Sequence, residues 1–441
     1  MVCTFVLGST AFAASTMPLT TNELLENYAS EGPARHDPFF ASLLDGVSAG
    51  INSKIANRLP TIFNDDLVPV FVPNAGFKTG GIHVGVSLSQ NPAWCWDGCG
   101  QKTVPAPLIV FFPGLTEGND HPYVDYVRHI VHGRKAHILV IPAPFSNDYL
   151  SANPVDPTAA YEAEARIAAE LLRSVREKIG EWNVTEVQFV GFSYGAFLAP
   201  LVARVAVPKL TKITLLSAPI SMKAIIHALD ELDSALVPYP WEYSINKAAL
   251  GTERLSWYGN KKQRLSFAKP YFAWFFQYGQ ITNALDLGQR FGCNWPLMAK
   301  AVAANPAIAQ LPIDSSRFPT IDVGQPLTPA DQAFREFAED VRFWKTIENC
   351  TPQNLPFYES AKDSLPYWLE GLDKSVNIDI VVTKDDFLIS AADWENSRSR
   401  LGSARLILLP YGGHNGYFAS QWLKHYLQNR IETPSLSRTA N

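Results

Sequence analysis

The sequence predicts an α/β protein built around a mostly parallel, doubly wound β-sheet. Short runs of apolar and β-branched residues recur along its 441 residues. Most of these runs are continuous rather than alternating, as expected for strands that helices cover on both faces. A segment with helical periodicity separates two of the runs, and strands that alternate with helices in this way are typical of a doubly wound sheet.

Eight runs are predicted to form the strands of this sheet. They are Val68–Val72, Ile82–Leu88, Pro107–Phe112, His137–Ile141, Glu186–Val190, Lys212–Leu216, Ile378–Thr383 and Arg405–Leu409. The segment before the fifth run has apolar residues at helical spacing. We expect a helix there that Asp156 caps, with Pro157 in its first turn and Gly180 at its end.

Composition excludes several classes of protein. Apolar residues make up 47% of the chain and charged residues 18%, so the chain can bury a core and is not predominantly disordered. The formal net charge of −5 argues against a nucleic-acid partner, which would require a basic face. Beyond the N-terminus, no stretch reaches the roughly 18 apolar residues of a membrane span. We therefore expect a protein without a stable membrane span.

Residues 1–14 resemble a signal peptide. They contain no charged residue, and Ala11-Phe12-Ala13 fits a small-residue cleavage site after an apolar stretch. The positively charged start of such a signal is missing, and a buried first strand or an ordered tail is the alternative. We expect removal of residues 1–14 and a secreted or periplasmic mature protein.

The cysteines agree with export. Four would remain after cleavage, and Cys95 and Cys99 lie in a glycine-containing loop that a short disulfide could close. Cys293 and Cys350 would then form a second bridge by elimination. A zinc site is the weaker alternative, because the spacing lacks a nearby histidine ligand. Four unrelated thiols remain a third alternative.

A long segment without a clear strand interrupts the α/β pattern. Residues 15–221 and 376–441 are predicted to form the α/β core, and residues 222–375 a helical insertion rich in aromatic residues. Its most aromatic part is 269–280. Most of these rings are expected to form the core of the insertion itself.

The first chemical motif is Gly191-Phe192-Ser193-Tyr194-Gly195, which follows an apolar strand and begins a helix. A sharp strand-to-helix turn of this kind presents the serine hydroxyl above the sheet, and glycines flank it because larger side chains would collide with neighbouring elements. The backbone N–H of Tyr194 would then face a developing oxyanion. The alternative is a glycine-rich turn with an idle serine.

The second motif follows the strand that ends at Phe112, in the sequence Pro113-Gly114-Leu115-Thr116. A loop in this place can supply the second backbone donor of an oxyanion hole, and Leu115 is the predicted donor. His121 in the same loop is interpreted as a surface residue rather than a substrate contact.

The loops after the last two predicted strands contain the remaining candidate catalytic residues. Lys384-Asp385-Asp386 follows the seventh predicted strand, and a glycine-bounded loop with His414 follows the eighth. A serine hydroxyl needs a base to become a nucleophile, and the base needs a carboxylate to orient it. We expect His414 to be the base and Asp386 the acid, with Asp385 as the alternative acid.

These motifs resemble those of α/β-fold serine hydrolases and esterases whose histidine lies in a GGHxGF-type segment. The matching motifs are PGLTEG, PYV, GFSYGA, DDF and GGHNGY, in that order between Pro107 and Tyr417. The insertion is outside the resemblance. Pro113 stands where many relatives have histidine, and Phe387 where proline often follows the acid.

The resemblance implies an α/β-hydrolase fold and hydrolysis of an ester bond through an acyl-enzyme, without a metal or organic cofactor. It assigns Ser193 as nucleophile, Asp386 as acid and His414 as base. It leaves the substrate class open because of the two departures.

The expected activity is that of a carboxylesterase or lipase acting on a small-molecule ester or lipid. In α/β hydrolases an insertion at this point commonly caps the active site, and we expect Phe272, Phe275 and Phe276 to line an acyl pocket. A peptidase or acyltransferase could use the same triad. A non-catalytic binding protein is a further alternative, although such a scaffold needs none of the three residues. The sequence does not indicate an oligomeric state.

Overall fold

The computed structural model describes residues 67–88, 105–236 and 342–432, except for 116, 120–123, 125–126, 128–129, 131–135, 157–159, 206, 415–416 and 418–419. Its strands are β1 Val68–Pro73, β2 Gly81–Ser87, β3 Ala106–Phe112, β4 His137–Val140, β5 Val184–Phe192, β6 Leu210–Leu216, β7 Asn377–Thr383 and β8 Arg405–Leu409. Each of them overlaps one of the eight predicted runs.

The strands form one sheet in the order β1-β2-β4-β3-β5-β6-β7-β8. β2 pairs antiparallel with β1 and with β4, whereas every neighbouring pair from β4 to β8 is parallel. This order, with crossover helices between the parallel strands, is that of the α/β-hydrolase fold. The predicted fold class is confirmed.

The helices whose bounds lie within the described residues are α1 Asn147–Ser151, α2 Tyr161–Ile179, α3 Tyr194–Ala203, α4 Met222–Leu236, α5 Phe343–Cys350, α6 Leu355–Tyr358, α7 Leu365–Glu370, α8 Ala391–Ser397 and α9 Gln421–Glu432. Short 3-10 turns lie at Pro352–Asn354 and Arg398–Arg400.

Alternate residues of the central strands are buried on opposite faces of the sheet. In β3, Leu108 and Val110 pack with the core formed by α2, α3, α4 and α5, while Ile109 and Phe111 pack with the core that includes α9. Both faces are apolar because both are covered by helices. This arrangement explains why the strand sequences are continuous apolar runs.

Helix α2 begins later than its capping signals predict. Its N-cap is Ala160, which makes no side-chain capping hydrogen bond, so Asp156 does not cap it. Tyr161, the first helical residue, is 2% exposed and contacts other buried rings. We attribute the start of the helix to this packing, which outweighs the local preference for a capping side chain. The predicted end at Gly180 is correct.

Helices α4 and α5, which flank residues 237–341, are held by two carboxylates. Asp363 accepts hydrogen bonds from the N–H groups of Met222 and Lys223 at 2.7 and 3.0 Å. Asp230, within α4, accepts from the N–H groups of Phe343 and Trp344 at 2.9 and 3.1 Å. Each helix therefore begins at a carboxylate supplied by another segment, where the positive end of its dipole favours negative charge.

The parallel register places the loops that carry the predicted site at one edge of the sheet. Phe112 of β3 pairs with Gly191 of β5, and Thr383 of β7 pairs with Leu409 of β8. The loops after these four strands therefore leave from the same edge. The predicted domain boundaries are not tested by this sheet and remain predictions.

Candidate active site

Ser193 lies in a tight turn between β5 and α3. Its backbone has φ 51° and ψ −116°, a conformation that non-glycine residues rarely adopt and that surrounding structure must enforce. Its N–H donates to Leu216 O of β6 at 2.9 Å, which ties the turn to the neighbouring strand. The strained backbone projects the hydroxyl at the edge of the sheet.

The two glycines beside Ser193 are required by close contacts. A Cβ atom on Gly191 would lie 2.6 Å from Gly195 O, and one on Gly195 would lie 2.0 Å from Phe112 O. Both separations are far inside van der Waals contact with backbone atoms. The turn can therefore approach β3 and close on itself only with glycine at both positions.

Ser193, His414 and Asp386 form a continuous hydrogen-bonded chain. His414 Nε2 lies 2.8 Å from Ser193 Oγ, and His414 Nδ1 lies 2.9 Å from Asp386 Oδ2. His414 is 7% exposed, and the side chain of Asp386 is fully buried. In chemical terms, this geometry allows an imidazole to remove the serine proton while a carboxylate orients the ring.

The two neighbouring aspartates have different partners. Asp386 Oδ1 accepts from the N–H groups of Leu388 and Ile389 at 2.8 and 3.1 Å, which fixes its carboxylate beside the imidazole. Asp385 Oδ1 instead accepts from the N–H of Gly413 at 2.9 Å. The geometry thus favours Asp386 as the partner of the histidine and makes Asp385 a backbone contact of the histidine loop.

The histidine loop is anchored on three sides. Gly413 O accepts from Thr383 Oγ1 at 2.6 Å, and His414 O accepts from Ser217 Oγ. Burial raises the pKa of Asp385, although the N–H of Gly413 acts in the opposite direction. These contacts come from the ends of β6, β7 and the loop after β7, so the imidazole position depends on the sheet itself.

Two backbone donors lie in the segments where the sequence predicts an oxyanion hole. Within the described part of the chain, the N–H groups of Leu115 and Tyr194 have no hydrogen-bond acceptor. The N–H of Gly114 is engaged, because it donates to Glu117 Oε2 at 2.8 Å. Leu115 is therefore a better candidate donor than Gly114. Thr116 and His121 lie outside the described residues.

Glu117 is a buried residue of this loop that the sequence does not predict. It is 5% exposed, and burial raises the pKa of its carboxyl to about 8. A glutamate between threonine and glycine in a loop is typical of the surface, and its burial depends on packing that no local pattern reveals. The only sequence signal is its place in the motif after β3.

A second polar cluster lies behind Tyr194. The Tyr194 hydroxyl donates to Glu164 of α2, and Tyr358 of α6 donates to Tyr161 at 3.1 Å. Burial is the main reason that the pKa of each of these tyrosines is raised, so all three hydroxyls remain protonated. The residue after Ser193 is thus fixed by its side chain as well as by its backbone. The sequence does not predict this cluster.

Aromatic rings border the imidazole. The ring centres of Phe192 and Phe387 lie 5.8 and 6.2 Å from that of His414. The three predicted pocket residues Phe272, Phe275 and Phe276 lie outside the described residues, as do residues 1–14, Cys95, Cys99 and Cys293. The acyl pocket, the signal peptide and the disulfides therefore remain predictions.

Among the residues that the structure describes, no group of three or more His, Cys, Asp or Glu side chains could hold a metal ion. In the same part of the chain, no helix combines the length and apolar character needed to cross a bilayer.

The sheet order and the turn at Ser193 define the class of the protein as one with an α/β-hydrolase fold. No protein-family model and no curated protein sequence matches the chain. Solved structures do resemble it at low identity. A proline iminopeptidase from Mycobacterium smegmatis is 12% identical, with a TM-score of 0.39, over 82% of this chain and 97% of the other.

Two further similar structures are of an esterase and a thioesterase. The esterase, from Pyrococcus furiosus, is 9% identical with a TM-score of 0.42, over 84% of this chain and 91% of its own. The thioesterase domain, from the curacin biosynthetic pathway, is 12% identical with a TM-score of 0.38, over 83% of this chain and 99% of its own. The fold assignment rests on the sheet and not on these similarities.

Proposed function

We propose that this protein is a serine hydrolase that cleaves carboxylic esters through an acyl-enzyme. The supporting observation is the chain from Asp386 through His414 to Ser193, with contacts of 2.9 and 2.8 Å. Fold alone would not support the proposal, because α/β-hydrolase scaffolds also serve other functions.

The proposed reaction has two halves, and in each of them His414 acts first as a base and then as an acid. Ser193 Oγ attacks the ester carbonyl while His414 Nε2 takes its proton, and Asp386 stabilises the imidazolium through Nδ1. The backbone N–H groups of Leu115 and Tyr194 bind the oxyanion. His414 then protonates the departing alcohol, which leaves an acyl group on Ser193. In the second half His414 takes a proton from the water that attacks the acyl-enzyme, and it returns a proton to Ser193 Oγ as the acid product leaves.

The direct test is the Ser193→Ala variant. We expect it to lower ester turnover by on the order of 10⁴ to 10⁶, because the covalent route is lost. A fluorophosphonate probe should label the wild type and not this variant. Ser403, an exposed turn residue just before β8, provides the control: Ser403→Ala should be labelled like the wild type. Labelling that persists in Ser193→Ala would identify another serine as the nucleophile.

We also propose apolar acyl groups as the substrate class. Support comes from the sequence: the aromatic stretch at 269–280, from which we expect Phe272, Phe275 and Phe276 to contact the acyl chain. Burying one ring against an acyl chain contributes roughly 1 to 2 kcal/mol. Phe275→Ala should therefore lower kcat/KM for long-chain p-nitrophenyl esters about tenfold and leave the acetate ester nearly unaffected. An equal loss for every chain length, with a lower melting temperature, would place this ring in the core of the insertion instead.

A further inference from the structure

The loop after β3 is closed by a buried carboxyl within the loop itself. Glu117 Oε2 accepts the N–H of Gly114 at 2.8 Å, and the N–H of Glu117 donates to Gly114 O at 3.1 Å. Both polar backbone groups of Gly114 are therefore engaged by a single residue three positions later. These two hydrogen bonds close the turn, and Leu115 within it is partly exposed.

This turn is also tied to the loop that follows β4. Ala143 N–H donates to Glu117 O at 3.1 Å, and Phe145 N–H donates to Leu115 O at 3.3 Å. The loop after β4 thus holds the carbonyl of Leu115 and the carbonyl of Glu117 by one hydrogen bond each. Its own N–H has no acceptor within the described part of the chain. The hydrogen bonds of the turn therefore leave this donor free for a ligand.

Packing connects the same turn to Ser193. A Cβ atom on Gly114 would lie 3.1 Å from Glu117 Oε1 and 3.2 Å from the ring of Phe192, the residue before Ser193. Gly114 is therefore enclosed by the Glu117 carboxyl on one side and the nucleophile turn on the other. A change in the position of the carboxyl would alter how the turn approaches Ser193.

We propose that Glu117 is a positioning residue that holds the Leu115 N–H in place to bind the oxyanion. This proposal rests on the proposed function, because it assigns a role to the same oxyanion hole. The raised pKa of Glu117 agrees with it, since a carboxyl that is protonated at neutral pH can accept the Gly114 N–H without placing a negative charge beside the oxyanion.

Two substitutions separate the hydrogen bond from the packing. Glu117→Gln keeps an acceptor oxygen at nearly the same position, whereas Glu117→Met fills a similar volume without that acceptor. Because the loss of one oxyanion donor lowers kcat by about 10²- to 10³-fold, a donor that is only misplaced should have a smaller effect, about tenfold. We therefore expect Glu117→Met to lower kcat about tenfold with KM within threefold, and Glu117→Gln to restore kcat to within about threefold of the wild type.

The fluorophosphonate reaction provides a second measurement on the same proteins, since the phosphonyl oxygen would occupy the oxyanion hole. Labelling of Glu117→Met should be slowed in parallel with kcat. If Glu117→Met does not fold, Glu117→Asp replaces it, because its carboxyl is one methylene too short to reach Gly114; a loss of kcat at unchanged KM is expected there too.

The outcomes distinguish this proposal from the proposed function. If the wild type is not labelled at Ser193, the proposed function fails and the role of Glu117 fails with it. If the wild type is labelled and the variant without the acceptor has wild-type kcat, only the role of Glu117 is overturned. Equal losses in Glu117→Gln and Glu117→Met would also overturn it, because the acceptor would then not be the reason for the loss.

Discussion

Buried carboxylates occur at both edges of the sheet, and their partners differ. At the edge away from Ser193, Asp379 is 1% exposed and contacts Arg405 at 2.5 Å, Arg430 at 3.2 Å and the Tyr426 hydroxyl. At the edge that carries Ser193, Asp385, Asp386 and Glu117 accept backbone N–H groups, and Asp386 also contacts His414. The first edge thus uses guanidinium groups as partners, and the second uses backbone amides and an imidazole.

The difference indicates how each edge is used. Two arginines pair with Asp379, and a carboxylate in such a network mainly supports the fold. Backbone N–H groups fix the direction of a carboxyl without supplying a full positive charge, and burial raises the pKa of both Asp385 and Glu117. We therefore expect substitutions at the first edge to change stability and those at the second edge to change activity.

The largest expected effect is that of Asp386→Asn on activity. The amide cannot stabilise the imidazolium and favours the wrong tautomer of His414, so kcat should fall by about 10³- to 10⁴-fold. The melting temperature should change little by comparison. A loss of less than tenfold, measured with a p-nitrophenyl ester near pH 8, would mean that another group orients the histidine.

Asp379→Asn should have the opposite profile. Removal of the charge leaves Arg430, whose side chain is 8% exposed, without its carboxylate, and the free energy of unfolding should fall by about 3 kcal/mol. Urea unfolding measures this value, and kcat at 25 °C should stay within about twofold. The exposed Asp373 provides the control substitution. A large loss of kcat in folded Asp379→Asn would break the proposed division between the two edges.

Substitutions at Asp385 can be compared directly with those at the adjacent Asp386. Asp385→Asn keeps an acceptor for the Gly413 N–H and should retain kcat within about threefold, in contrast with Asp386→Asn. Asp385→Ala removes that acceptor, and the histidine loop should then be less well placed, with kcat lowered about tenfold. If both Asp385 variants lose as much activity as Asp386→Asn, the two carboxylates share the role of the acid.

The smallest expected effect is a pH dependence of stability at Glu117. The folded-state pKa of this residue is raised from 4.5 to about 8. Between these values the unfolded chain has lost a proton that the folded chain retains, so rising pH destabilises the wild type, by at most about 1.4 kcal/mol per pH unit. Glu117→Gln lacks this proton. Its stability relative to the wild type should therefore increase from pH 6 to pH 7 in urea unfolding, and a constant difference would contradict the raised pKa.

Much of the fold could be predicted because the strands are buried on both faces. The continuous apolar run of β3, at 108–112, is typical of a strand covered by helices on both sides, and the same holds for β5 and β7. The start of α2 could not be predicted, because Tyr161 begins the helix through contacts with residues almost 200 positions away. Local capping rules contain no information about such contacts.

In the candidate site, too, the residues in local motifs could be predicted from the sequence, whereas those that depend on distant contacts could not. Ser193 and His414 lie in short glycine-containing motifs, and around Ser193 those glycines are required by close backbone contacts, so the motif itself indicates the geometry. The choice between Asp385 and Asp386 depends on which carboxylate faces the ring, and adjacent residues in a loop do not reveal this. Glu117 and Glu164 could not be predicted as site residues, since their role depends on burial between distant segments.

The contact between Asp230 of α4 and the start of α5 has a consequence for how the protein can vary. Leu236, where α4 ends, is six residues beyond Asp230, which is about 9 Å along a helix axis. Phe343 and Trp344 donate to that same Asp230. The two described segments that end at residue 236 and resume at residue 342 are therefore joined close to these ends by the hydrogen bonds of Asp230. We expect that residues 237–341 could be replaced by a segment of another length at this junction, in evolution or by grafting, without altering the register of a single strand.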